Sequence, residues 1–244
     1  MSDPKTFPRS IPTGLPAADW TDRPLARGRL RISGTVLHGD AAWHAYRDAL
    51  GWTNVVLLAH ERLVGEPRAP GLVALCDEAM QSSIDPVSTA RLIARRLGSS
   101  AHDVSLAIVR IGPHHSLLEA LNVSMPALVL WDPYNGMNPY EPLATSLGTL
   151  PSDAATEVIR LRPGAALFAA TSGLLAPSAG FGELRRFLTA AAIDPLGGDV
   201  ASASPSELSR SLRASWPIGA GPSAMCVVGL PSDPELDLHP RASA

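Results

Sequence analysis

Cysteine, aromatic residues and long apolar runs are all scarce in this 244-residue sequence. Cys76 and Cys226 are the only cysteines and stand in apolar contexts, so we expect two buried thiols, as is usual in a reducing cytoplasm. No run approaches the ~18 apolar residues of a membrane span. The N-terminus is polar and rich in proline, unlike a signal peptide. These absences predict a cytoplasmic protein without a membrane-spanning segment.

A surplus of positive charge is also missing. Acidic residues (23) outnumber lysine and arginine (20), which gives a formal net charge of −3. Binding to nucleic acid needs a basic surface against the phosphate backbone, so this balance argues against a nucleic-acid partner. No block of like charges indicates a tail that binds DNA or acidic lipid. We therefore expect neither nucleic acid nor a membrane as a partner.

Aliphatic residues dominate what is present. Apolar residues make up 45% of the chain, enough for a sizeable core, and because aromatics are only 5%, alanine, leucine and valine must fill it. We expect one domain over residues 28–230. The proline-rich residues 1–27 are expected to form a flexible arm, and residues 231–244 a flexible tail.

Local patterns predict a definite order of strands and helices. The predicted elements are a strand from Gly28 that breaks at Gly34, a strand at Asn54–Leu58, helices at Gly71–Ser82 and Asp85–Gly98, an antiparallel meander from Val104 to Leu161, a strand ending at Ala170, helices opening at Phe181 and Ser204, and a strand at Met225–Val228. This order favours an α+β fold of two antiparallel sheets packed together with helices outside. It fits neither a Rossmann fold nor a helical bundle.

Two of the predicted helices have strong start signals. Asp85 is a good N-cap and Pro86 suits the first helical position. The segment Ser204–Glu207 forms a capping box with proline at the first position. The outer face of the helix after Asp85 carries three arginines that we expect to be solvated: Arg91, Arg95 and Arg96.

The stretch Leu161–Leu175 is predicted to be a buried strand that ends at small polar residues. The turn Pro163-Gly164 precedes a short apolar run, and that run stops at Thr171-Ser172-Gly173. A strand that ends in this way often delivers its last residues to a site. The end of this strand is therefore the first candidate site.

Several short motifs follow one another in the order of a known family. They are Gly39-Asp40, Leu121–Leu128, Ser146-Leu147-Gly148, the strand within Leu161–Leu175, and Phe181–Leu184. Together they resemble the bacterial PPM-type, metal-dependent serine/threonine protein phosphatases of the sporulation stage-II-E-like branch. The family segments read Gly-Asp, Asn-Ala-Gly-His-Pro-Pro, Pro-Leu-Gly, Pro-Gly to Thr-Asp-Gly, and Phe-Gly-x-x-Leu. The resemblance covers about residues 28–230 and implies a four-layer α-β-β-α sandwich.

The same resemblance bears on catalysis. In the family, two Mn²⁺ or Mg²⁺ ions held by carboxylates activate the water that hydrolyses phosphoserine or phosphothreonine. Of four aligned acidic positions, only Asp40 keeps its carboxylate, while the other three hold Ala59, Ser172 and Gly221. Hard divalent cations need several oxygen ligands. The resemblance therefore implies a degenerate metal site with no cofactor expected, or Mn or Mg if the domain is active.

Other side chains offer substitutes at these positions. His38, His60 and Glu61 could join Asp40 in a mononuclear histidine and carboxylate site, because both segments end at neighbouring strands in the family fold. Ser172, His60 and Asp40 can also be written as a nucleophilic triad, although the serine lacks the Gly-x-Ser-x-Gly elbow. Both alternatives remain open from the sequence.

Three functional hypotheses follow. The favoured one is a regulatory or binding pseudophosphatase in bacterial partner-switching or stress signalling, with a phosphorylated antagonist or regulator as its protein partner. The alternative is an active Mn- or Mg-dependent phosphoserine/phosphothreonine protein phosphatase with a rearranged metal site. A third is an unrelated hydrolase that uses Ser172 or His60. The sequence names no individual partner and predicts no oligomeric state.

Overall fold

The computed structural model describes ten segments of the chain: residues 30–38, 41–47, 51–60, 69–82, 85–112, 117–126, 128–171, 181–193, 203–215 and 223–230. The expected arm and tail lie outside these segments. Among the described helices, none combines the length and apolarity that crossing a bilayer requires.

The described strands form two antiparallel sheets of five strands each. Their bounds are β1 (Arg31–His38), β2 (Ala41–Arg47), β3 (Thr53–His60), β4 (Val104–Ile111), β5 (Leu117–Val123), β6 (Leu128–Asp132), β7 (Gly136–Tyr140), β8 (Glu157–Arg160), β9 (Ala165–Ala170) and β10 (Ser223–Leu230). Sheet one has the order β1-β10-β9-β6-β7, and sheet two has the order β2-β3-β4-β5-β8. The predicted buried strand is β9, in the centre of sheet one.

Helices pack on the outer faces of both sheets. The helices α1 (Ala69–Ser82) and α2 (Pro86–Leu97) pack on sheet two, whereas α3 (Phe181–Leu188), a π-helical turn and α4 (Pro205–Ala214) pack on sheet one. The predicted cap of α2 is confirmed, because the Asp85 carboxylate accepts from the backbone N–H of Ser88 at 2.8 Å.

Alternation of side chains along the strands divides the apolar residues into three layers. In β3, Val55 and Leu57 face the other sheet, whereas Val56 and Leu58 face α1 and α2. A third apolar layer, which includes Phe168, lies between sheet one and its helices. Both faces of β4 are thus buried from Val104 to Val109, which explains why β4 is apolar at consecutive positions. The predicted four-layer sandwich is confirmed.

The predicted strand break at Gly34 is wrong. β1 continues through Gly34 and pairs with β10 from Arg31 to His38, with one register shift between Val36 and His38. Glycine serves close packing here, because a Cβ on Gly34 would lie 2.6 Å from the ring of Trp43. Trp43 itself lies on β2, where the mixture of small, aromatic and polar residues gives too weak an alternation to predict a strand.

The predicted single meander between β4 and β9 is also wrong in its connectivity. β4 pairs with β5 in sheet two, β6 and β7 form a hairpin in sheet one, and β8 returns to the edge of sheet two. β9 then enters the centre of sheet one. Turn residues indicate where a strand ends. They do not indicate which of two equally apolar sheets receives the next strand.

One arginine of α2 makes contacts beyond its own helix that the sequence does not predict. The guanidinium of Arg91 donates to the backbone carbonyls of Pro151 at 3.3 Å and Ser152 at 2.5 Å. It thereby ties the segment before β8 to α2. Of the other two, Arg95 is exposed and Arg96 forms an ion pair with Glu78 of α1 at 2.5 Å.

The capping box of α4 provides a stability contribution that depends on pH. The Glu207 carboxylate accepts from the backbone N–H of Ser204 at 2.8 Å and from its hydroxyl at 2.9 Å. These two hydrogen bonds lower the pKa of the Glu207 carboxyl. A lowered carboxyl pKa gives stability that is present above the unfolded pKa of about 4.3 and is lost as pH falls through the folded value. We expect Glu207→Gln to cost about 0.5 kcal/mol at neutral pH and nothing at low pH, as measured by urea unfolding. An equal cost at both pH values would contradict this.

Candidate functional site

Five strand ends lie at one end of the sandwich, which we call the candidate end. They are the ends of β1, β3 and β9 and the starts of β2 and β10. The register pairs that define it are Ala41–Ala59, His38–Ser223 and Ala170–Met225. Asp40, Glu61, Ser172 and Gly221 are each within two residues of these strand ends in the chain, and all four lie outside the described segments.

Ala59 and His60 point to opposite faces of β3. Ala59 is 0% exposed and belongs to the apolar layer between the sheets. His60 is 4% exposed and, by alternation, shares the face of Leu58, which packs under the helices of sheet two. Of these two residues, only Ala59 therefore faces the space between the sheets. Its methyl group provides no ligand for a cation.

The described side chains around Ala59 are small and uncharged. Ser105, directly opposite Ala59 on β4, and Thr171, after β9, are both fully buried. Cys226 of β10 lies in the same layer between the sheets. Burial raises the pKa of the Cys226 thiol to about 12, so this thiol stays protonated and is a poor nucleophile or metal ligand at neutral pH.

A hydrogen-bonded corner connects the two sheets at the candidate end. The buried amide of Asn122 donates to the carbonyls of Pro126 at 3.1 Å and Tyr140 at 3.3 Å. Ser124 has φ of 63°, a left-handed conformation that favours glycine, and its hydroxyl donates to the carbonyl of Thr145 at 2.6 Å. The matched family segment has glycine at this position. This chain places a serine there and adds a hydrogen bond.

Substitutions at Ser124 separate the backbone conformation from this hydrogen bond. Ser124→Gly relieves about 1 kcal/mol of left-handed strain and removes a bond worth about the same, so we expect little net change. Ser124→Ala keeps the strain and loses the bond, so its free energy of unfolding should fall about 1 kcal/mol below that of the glycine variant. Urea unfolding of both variants tests this. An alanine variant as stable as the wild type would show that the corner is not held in this way.

Comparison with solved structures identifies the architecture. The PP2C phosphatase domain of SpoIIE from Bacillus subtilis, solved with a fragment of its regulatory domain, matches with a TM-score of 0.59 and 14% identity, over 84% of this chain and 64% of that chain. The RsbU and RsbW domains of Rv1364c from Mycobacterium tuberculosis match with a TM-score of 0.61 and 15% identity, over 83% of this chain and 62% of that chain. RsbX in complex with magnesium matches with a TM-score of 0.58 and 14% identity, over 82% of this chain and 95% of that chain.

This chain has the PP2C phosphatase fold. The resemblance inferred from its short motifs is thus confirmed at the level of the fold. Identities this low establish the PP2C architecture and not an activity. The chain spans less than two thirds of the SpoIIE and Rv1364c chains that it matches. By sequence, no protein-family profile and no curated protein matches it.

The residues present do not fit the pair of metal ions that PP2C-type catalysis implies. Within the described segments, no group of three or more His, Cys, Asp or Glu side chains could hold a metal ion. Of the four acidic positions that the family resemblance aligns, Asp40 alone holds an acid in this sequence. Mn²⁺ and Mg²⁺ take about six oxygen ligands, and two ions held close together need several carboxylates to offset their repulsion. We therefore assign no hydrolytic step to a metal.

Proposed function

We propose that this chain is a regulatory PP2C-fold domain that binds a protein partner and has lost di-metal catalysis. The observation that supports this is the buried methyl group of Ala59, which occupies an aligned ligand position on the face of β3 between the sheets. Ser172 and Gly221 extend the loss to two further ligand positions. The single carboxylate of Asp40 is too little charge for two divalent cations.

The setting that we propose is partner switching or stress signalling in the bacterial cytoplasm. Structures with the same fold include a cell fate determinant and a protein with RsbU and RsbW domains. The family resemblance implies a phosphorylated antagonist or regulator as the partner. A domain that keeps the scaffold without the metals would hold such a protein, compete for it with an active relative, or serve as a scaffold.

The chemistry of the candidate end suggests how the partner is recognised. A phosphoryl group carries about −1.5 to −2 charges at neutral pH, and the described inter-sheet side chains around Ala59 offer no cation to offset them. The amide of Asn122 is already engaged by backbone carbonyls within the fold. We therefore propose that recognition depends on the partner's protein surface and changes little with its phosphorylation.

A hydrolysis assay with a phosphoserine peptide and p-nitrophenyl phosphate tests this function. The wild type should show no turnover above that of Asp40→Ala, with or without Mn²⁺, while an active PP2C phosphatase assayed in parallel turns over. Metal-dependent turnover that disappears in Asp40→Ala would instead establish an active phosphatase with a rearranged site. Metal-independent ester hydrolysis that is lost in Ser172→Ala would favour an unrelated hydrolase that uses Ser172.

A further inference from the structure

We infer that the part of sheet two left uncovered by α1 and α2 is a docking surface for an acidic, amphipathic helix of a protein partner. This surface, the open sheet face, lies at the end of the sandwich opposite the candidate end. It consists of the outward-pointing residues before β3 and on β4, β5 and β8: Trp52, Arg110, Leu117, Glu119, Val158 and Arg160.

Strand register places five of these residues in two adjacent rows. One row contains Arg110, Glu119 and Val158, each directly opposite the next. The second row pairs Leu117 with Arg160. By alternation these residues project from the same side as the β4 and β5 residues that pack beneath the helices in the covered half of the sheet.

The open sheet face exposes large apolar side chains where the covered half buries them. Leu117 is 53% exposed and Val158 is 66% exposed. In the covered half, Ile108 and Leu121 lie on the same side of the sheet and are 0% exposed. Leu117 and Val158 are diagonal neighbours on β5 and β8. Exposed aliphatic residues grouped in this way on a sheet face are typical of an interaction site.

The third apolar contribution comes from Trp52, which is held in place by its neighbours. The guanidinium carbon of Arg110 lies 4.4 Å from the centroid of the indole ring. The ring also lies close to Gly112, where an added Cβ would be 3.5 Å from it. Tryptophan and arginine are the residue types most enriched among energetic hot spots of protein interfaces. The cation–π contact holds both side chains next to each other on this face.

Charge and width favour an acidic helix as the occupant. Arg160 is exposed, and among the described residues no carboxylate forms an ion pair with it. An acidic group on the partner would complement it. The three strands β4, β5 and β8 span about 10 Å at the usual strand spacing, which matches the ~10–12 Å diameter of a helix. Helices already cover the adjoining half of the same face.

Two synthetic helical peptides provide the test. Both carry leucines on one face, and one flanks them with glutamates where the other has lysines. In fluorescence anisotropy with the full chain, we expect the glutamate peptide to bind about fivefold more tightly than the lysine peptide. Arg160→Glu should reverse this preference, and Val158→Asp should weaken both peptides. Arg95→Glu, at an exposed arginine of α2, is the matched control and should leave the preference unchanged.

The outcomes are distinct from those of the phosphatase assay, because this surface and the candidate end are at opposite ends of the molecule. Equal binding of the two peptides, or an unchanged preference in Arg160→Glu, would overturn the inference. So would self-association, detected by light scattering, that disappears in Val158→Asp, because it would assign this face to a second copy of the chain. Circular dichroism of each variant confirms that its fold is retained.

Discussion

Ala59→Asp is expected to lower the free energy of unfolding by about 3 kcal/mol at neutral pH. Position 59 is 0% exposed, with Ala41 and Ser105 opposite it on the neighbouring strands. A carboxylate there loses its hydration, and because desolvation favours the neutral form, its pKa rises above the unfolded value of about 3.9. The charge-dependent penalty is therefore absent below that pH and grows as pH rises toward the folded pKa.

Urea unfolding at acidic and neutral pH measures this effect. Ala59→Asn is the matched control, since it adds the same volume without the ionisable group and should show no such dependence on pH. Mn²⁺ should not rescue Ala59→Asp, because Asp40 would be its only carboxylate partner at the aligned positions. A Mn²⁺-induced gain of more than about 1 kcal/mol would show that a metal site is nearly complete and would contradict this account.

Gly34→Ala should cost about 2–3 kcal/mol. The added Cβ would lie 2.6 Å from two ring carbons of Trp43 and 2.9 Å from the carbonyl oxygen of Met225. That carbonyl belongs to β10, the hydrogen-bonded neighbour of β1, so it cannot move without disturbing the ladder. The Trp43 ring packs against the layer between the sheets and has little room to shift. The urea midpoint, with an unchanged slope, measures the loss.

A second glycine supplies the control for this prediction. A Cβ on Gly71, in α1, would meet no heavy atom within 4 Å. Gly71→Ala should therefore stabilise the protein by about 0.5–1 kcal/mol through helix propensity alone. If Gly34→Ala proves as harmless as Gly71→Ala, Trp43 does not pack against β1 as closely as the structure shows.

The parts of the fold that the sequence predicts are those with strong local signals. Pro163-Gly164 marks the start of β9, and Gly164 indeed has φ of 81°, a conformation that glycine adopts readily. Asp85, as the N-cap, likewise marks the start of α2. The connectivity carries no such signal. β8 and β9 follow each other closely in the chain yet join different sheets, and the turn Pro163-Gly164 between them does not indicate this change of sheet.

For the candidate site too, the sequence predicts some features and not others. The loss of carboxylates is predicted from the sequence alone, since the resemblance needs only residue identities at matched positions. The sequence does not predict which face of its strand each side chain lies on. In the structure, Ala59 points between the sheets, whereas His60 points toward the helices. The expected roles of His38, Asp40, Glu61, Ser172 and Gly221 stay predictions.

A calorimetric titration of chelator-treated protein with Mn²⁺, followed by thermal unfolding with and without EDTA, tests the loss of the metal centre most directly. We predict no heat beyond dilution and the same Tm in both conditions, because the carboxylate cluster whose repulsion a metal would relieve is missing. Saturable Mn²⁺ binding that is abolished in Asp40→Ala, together with a fall in Tm on chelation that Mn²⁺ restores, would show instead that the domain keeps a metal centre.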